Sequence, residues 1–285
     1  MINEKGERIV SVEEEKNLDF ILAEIKFMTK TFRIHKTDNT AWDAAKKMKE
    51  YLSCKGNIKS IEEWLAELET YSLNAQSESF VWELVYIRRS MSDIYRLSTG
   101  YTKDCAESKL ISAKLFERIC KINPSHHNFL CRVREYLSAI ELFRKTKVKG
   151  MEKAKVDEIM LYTVSLFENL ENDGGIAICL TGSKLYADKF FYYDSEKSSE
   201  GECAETLAKL IFYLRNTYSY FEDDEDLELL ANVYLIYMTY EQFSYNEKEQ
   251  ELNELIGWVE KLVDCGYNRF RKVLEELKTA RDKLL

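Results

Sequence analysis

The sequence predicts an all-helical protein, a right-handed bundle of antiparallel helices stacked as hairpins. Its 285 residues contain one proline, Pro124, and ten glycines, too few breakers for a loop-rich fold. Apolar residues return at three- and four-residue spacing along most of the chain, and no segment alternates as a strand does. Helices of that length joined by short loops pack as antiparallel neighbours.

Start and stop signals divide the chain into helices at about 11–34, 40–54, 60–74, 77–99, 103–122, 126–147, 151–172, 176–193, 201–220, 226–245, 247–264 and 267–284. The first opens on a capping box, Ser11 with Glu14, and then sets Leu18, Ile21, Leu22, Ile25 and Met28 on one face. A second box, Ser60 with Glu63, precedes Ile61, Trp64, Leu65, Leu68 and Tyr71 at helical spacing. Ile111, Leu115, Ile119 and Ile122 form the apolar face of the helix that stops before Pro124. Later breaks fall near Gly150, Gly174-Gly175, Gly201, the acidic run Glu222 to Asp226, and Gly266. The aromatic cluster Phe190 to Tyr193 is expected in the core. In the last two helices the stripes are Leu252, Leu255, Ile256, Val259 and Leu262, then Phe270, Val273, Leu274 and Leu277.

A hydrophobic content of 45% with 32% charged residues is that of a folded chain. The net charge of −9 argues against nucleic acid, which requires a basic face. No apolar run approaches the ~18 residues of a membrane span, and the amino terminus lacks the order of a signal peptide. A cytoplasmic protein with no membrane partner is the expectation. Seven cysteines, odd in number and scattered along the chain, are expected as reduced thiols without disulfides.

Catalytic and cofactor signatures are missing: there is no phosphate-binding glycine loop, no dinucleotide fingerprint, no H-E-x-x-H and no nucleophile elbow. His126 and His127 with Cys120 and Cys131 match no zinc spacing. No enzyme, no metal and no cofactor are expected.

Two segments carry a resemblance to a known family. VYIRRSMSDIYRLS, Val85 to Ser98, resembles the third helix of 14-3-3 proteins, where a G-A-R-R-S-x-W-R run supplies a phosphate-binding arginine that corresponds to Arg89. FFYYD, a short loop and CAETLAK, Phe190 to Lys209, resemble the V-F-Y-Y-E and A-C-x-L-A-K junction of the family's seventh and eighth helices. The chain resembles an atypical, divergent 14-3-3 protein over residues 41–246, with helical extensions at 1–40 and 247–285.

The resemblance implies an adaptor that recognises phosphoserine or phosphothreonine peptides in a concave groove, where guanidinium groups, a lysine and a tyrosine hydroxyl meet the phosphate. The family's lysine position falls on Trp82, on the same helical face as residues 89 and 96. Its Y-R-Y-L-A run corresponds to RVREYLSA, where Glu135 takes the strict arginine position, with Arg134 one residue earlier and Tyr136 retained. The implied phosphopeptide site is Arg89, Arg132, Arg134 and Tyr136, with weakened or altered phosphate binding. Surface charge and ordinary packing compete with that reading for the last three, and Arg88 reads as structural. The groove asparagines are absent, and Asp93 is placed to pair with Arg89 at i,i+4.

Partners are therefore expected to be phosphorylated or other proteins. A homodimer, or a tightly packed monomer, is expected to cover the stripe from Leu18 to Met28. The alternative is a phosphate-independent, tetratricopeptide-like scaffold: Gly100, Ser112, Phe116 and Pro124 fit one repeat, but Arg132 and Arg144 spoil the next. A helical prenyltransferase subunit ranks last, since NPSHHNFLCRVREYL comes without recurring Trp-x-x-Arg repeats.

Overall fold

The computed structural model describes residues 12–146, 151–170, 175–240 and 242–285, and among the described residues every regular element is helical. The chain forms two compact units, Met1–Leu166 and Phe167–Leu285.

The first unit contains α1 (Val12–His35), α2 (Asp38–Ser53), α3 (Glu62–Ser72), α4 (Glu78–Thr99), α5 (Lys103–Ile122), α6 (His126–Lys145) and most of α7 (Met151–Glu168). Thr37, Ser77, Thr102 and Ser125 start four of these by accepting a hydrogen bond from the backbone N–H three residues on. Gly100 ends α4 at φ +80°, which costs a residue without Cβ nothing. α2 packs on α1 and, past the short α3, on α4, α4 packs on α5, and α5 on α6.

The stripe on α1 is covered within this unit. Ile21 and Ile25 are buried, and Leu18, Leu22 and Met28 pack against the same core as Met48, Phe80 and Phe116. Its burial needs no second chain, which removes the reason for expecting a dimer from that stripe. Ser11 of the proposed capping box lies outside the described residues, as do Gly150 and Gly174.

Ser60 does not cap α3. The Asn57 side chain accepts from the Lys59 N–H at 3.0 Å and opens a 3₁₀ turn, Ile58–Ser60, before α3 starts at Glu62 with no side-chain cap. An asparagine turn closes over two residues, so it captures the chain before the serine can act. Ile58 and Ile61, both buried, then fix the turn against the core.

The second unit contains α8 (Ile176–Lys189), a π-helical turn (Phe190–Asp194), one-turn α9 (Ser195–Lys197), α10 (Glu200–Phe221), α11 (Asp224–Tyr237), α12 (Tyr245–Asp264) and α13 (Arg271–Leu284). α8 packs along α10 where Gly182 leaves room for Tyr213, since a Cβ there would lie 2.6 Å from the ring. Ser199 and Glu202 form a reciprocal capping box at the start of α10. The acidic run is a stop and a start: Glu222 ends α10 in the left-handed region, and Asp223 caps α11 through the Glu225 and Asp226 N–H groups. α11 ends at Tyr237, short of the expected 245, and α13 packs on α11 and α12.

The aromatic cluster departs from expectation. Phe190 is buried, but Phe191 and Tyr192 are exposed. Lys189 reaches the buried carboxylate of Asp194 at 2.7 and 2.9 Å, five residues on, and that spacing suits the i→i+5 turn the chain adopts there. Widening the helix swings the next two rings away from the core.

Candidate functional site

All four residues implied as phosphate ligands lie in the first unit, on α4 and α6. The Arg-Arg pair of α4 splits into two roles because consecutive residues point about 100° apart. Arg88 turns inward, is buried, and forks onto Glu69 of α3 at 2.5 and 2.6 Å. Arg89 turns toward α6, with 32% of its side chain exposed.

Arg89 meets a carboxylate there. Its Nε and Nη2 donate to Glu135 Oε1 at 3.0 and 2.7 Å. Glu135 is buried and receives two more partners from α5: Ser112 Oγ at 2.7 Å and Lys109 Nζ at 3.1 Å. Burial pushes the Glu135 carboxyl up, but the charges of Lys109 and Arg89 and the hydrogen bonds from Arg89 and Ser112 outweigh it, and the group is held below its ordinary range. One acid thus ties three helices together. The guanidinium also lies 5.5 Å from the Phe116 ring centre, 5.8 Å from Tyr86 and 5.9 Å from Trp82. Trp82 therefore forms an aromatic wall beside Arg89.

Tyr136 follows Glu135 in sequence and faces elsewhere. It is buried, and its hydroxyl donates to Glu117 of α5, which also takes the Tyr162 hydroxyl of α7 at 3.2 Å and Arg132 at 3.3 Å. Arg132 stacks 5.6 Å from the Tyr162 ring centre and donates to its hydroxyl. Burial first, then the hydrogen bond to Glu117, raises the Tyr136 phenol well above its usual range. Tyr136, Tyr162 and Glu117 line a hollow of about 310 Å³, with the exposed Lys114 and Lys155 at its rim.

The site residues thus fall into separate sets. Arg89 belongs with Glu135, Arg132 and Tyr136 belong with Glu117, and Arg134 is exposed on the outer face of α6. Asp93 does not pair with Arg89; it pairs with Arg96 at 3.2 Å, leaving Arg89 to a longer-range acid that is better buried.

Lys109, Ser112 and Glu117 escaped the sequence reading. The signal for the first two was Glu135 itself, an acid among buried positions of α6, since a carboxylate on an apolar helix face needs cationic or hydroxyl partners from its neighbours. Among the described residues no group of three or more His, Cys, Asp or Glu is placed to hold a metal ion, and all seven cysteines are free. Among those same residues no helix is long and apolar enough to cross a membrane. No model of a known protein family matches the chain, and no curated protein does either.

Proposed function

We propose that this chain is a protein-binding helical adaptor without catalytic activity, similar to 14-3-3 proteins along Val85 to Ser98 and Phe190 to Lys209, that recognises partners without requiring a phosphate. The observation that carries this reading is the 2.7 Å pair between Arg89 and Glu135. A bound phosphate would lie close to a buried carboxylate whose negative charge repels it, and the arginine would have to give up a partner it already holds. Tyr136 is likewise committed, to Glu117.

A phosphopeptide-dependent adaptor is the second reading, supported by the charge count. Arg89 and Lys109 against Glu135 leave one positive charge over, and Arg89 keeps about a third of its side chain in solvent. Fluorescence polarisation with a phosphoserine peptide and its unphosphorylated twin separates the two. The first reading expects the two peptides to bind with similar affinity and Arg89→Ala to change neither. Tight binding of the phosphopeptide alone, lost in Arg89→Ala, would establish the second.

A further inference from the structure

The hollow beside Glu117 carries cations that the fold does not use. It is lined by Leu110 of α5, Ile159 of α7 and the rings of Tyr136 and Tyr162, which meet edge to face at 5.4 Å. Both tyrosine hydroxyls are engaged with Glu117, so what these rings offer a ligand is apolar surface. At about 310 Å³ the hollow is large enough for one small group and too small for a folded element.

Lys114 of α5 and Lys155 of α7 stand exposed at its rim, and among the described residues neither has an ion-pair or hydrogen-bond partner. Two other lysines of the first unit show the contrast: Lys103 holds Glu152 at 2.6 Å, and Lys109 holds Glu135 at 3.1 Å. The acids around the hollow are occupied with one exception. Glu117 is balanced by Arg132 at 3.3 Å, and Glu107 and Glu152, one turn away, are both held by Lys103 at 3.7 and 2.6 Å. The exception is Glu158, exposed on the rim and unpaired among the described residues. Two ammonium groups and one carboxylate therefore remain for a ligand at the mouth of an apolar hollow.

We infer that this hollow receives the carboxyl end of a partner polypeptide whose last residue is apolar. The terminal carboxylate is taken by the Lys114 and Lys155 ammonium groups, the last side chain enters against Leu110, Ile159 and the tyrosine rings, and the N–H beside the carboxylate donates to Glu158. An aspartate or glutamate within a chain has no apolar side chain on the residue that bears its carboxylate, and a hydrocarbon acid has no N–H for Glu158. Unlike Arg89, neither lysine has to give up an acid in order to bind. The inference rests on the protein-binding reading and names a feature of the partner, but it does not depend on whether Arg89 takes phosphate.

Fluorescence polarisation of the full chain tests this with three amino-terminally labelled peptides: Gly-Ser-Gly-Ser-Gly-Leu with a free carboxyl end, its carboxyl-terminal amide, and the free acid ending in glycine instead of leucine. At low salt the leucine acid is expected to bind about tenfold or more tighter than the amide, and several-fold tighter than the glycine acid. Lys114→Met with Lys155→Met should remove the difference between acid and amide while keeping the wild-type circular dichroism, and Arg89→Ala should leave that difference unchanged. Equal binding of acid and amide, equal binding of the leucine and glycine acids, or a preference that survives the double lysine variant would overturn the inference. So would a preference lost in Arg89→Ala, which would place the carboxylate at the Arg89 cluster. None of these peptides carries a phosphate, so a failure here is distinct from a failure of the phosphoserine comparison.

Discussion

Glu135 and Tyr136 are consecutive on α6, yet they serve two clusters built on different chemistry. Around Glu135 the partners are ionic: Arg89 from α4 and Lys109 from α5 converge on one buried carboxylate, with Ser112 completing its shell. Around Glu117 they are mostly neutral: the Tyr136 and Tyr162 hydroxyls share an acid whose side chain is 34% exposed, with Arg132 at its edge. The difference lies in what each acid leaves behind when it is removed. Loss of Glu135 strands two cations close together, whereas loss of a hydroxyl from the second cluster leaves groups that other partners and water can satisfy.

The largest expected effect is therefore at Glu135. Glu135→Ala should destabilise the fold by about 2–3 kcal/mol in urea titrations, less than for a fully buried pair because Arg89 and Lys109 retain solvent contact. Tyr136→Phe should cost only about 1 kcal/mol, the net worth of one hydrogen bond, since Glu117 keeps Tyr162 and Arg132. Equal losses in the two variants would erase the distinction between the clusters. A subtler contrast appears in acid. Because the Glu135 carboxyl is depressed in the folded state, the stability it contributes is complete above the ordinary glutamate range and is lost as pH falls through its lowered value. Glu135→Gln should flatten that part of the stability–pH curve, and Tyr136→Phe should leave it unchanged.

Helix positions were largely legible in the sequence because breakers and periodic stripes are local signals. Gly100 ends α4, and Ile21, Ile25, Leu65 and Leu68 are buried as their spacing requires. Where two local signals competed the reading failed: Asn57 outran Ser60, and the Lys189 to Asp194 pair widened the end of α8. The candidate site was less legible. Sequence alone put Glu135 at the arginine position of the resembled family, but not that its charge would be met by Arg89. That pairing joins residues 46 apart on different helices, and the local i,i+4 candidate, Asp93, pointed to the wrong partner. A helical wheel ranks contacts within a helix and is silent on contacts between helices.

The central claim is that Glu135 withholds Arg89 from phosphate, and the most direct measurement is the preference for a phosphoserine peptide over its unphosphorylated twin in the wild type and in Glu135→Gln. The wild type should show little preference. Removing the acid's charge frees one charge-assisted contact, so the variant should gain a preference of about tenfold or more that disappears again in Glu135→Gln with Arg89→Ala. A strong phosphopeptide preference already present in the wild type, and unchanged by Glu135→Gln, would contradict the account.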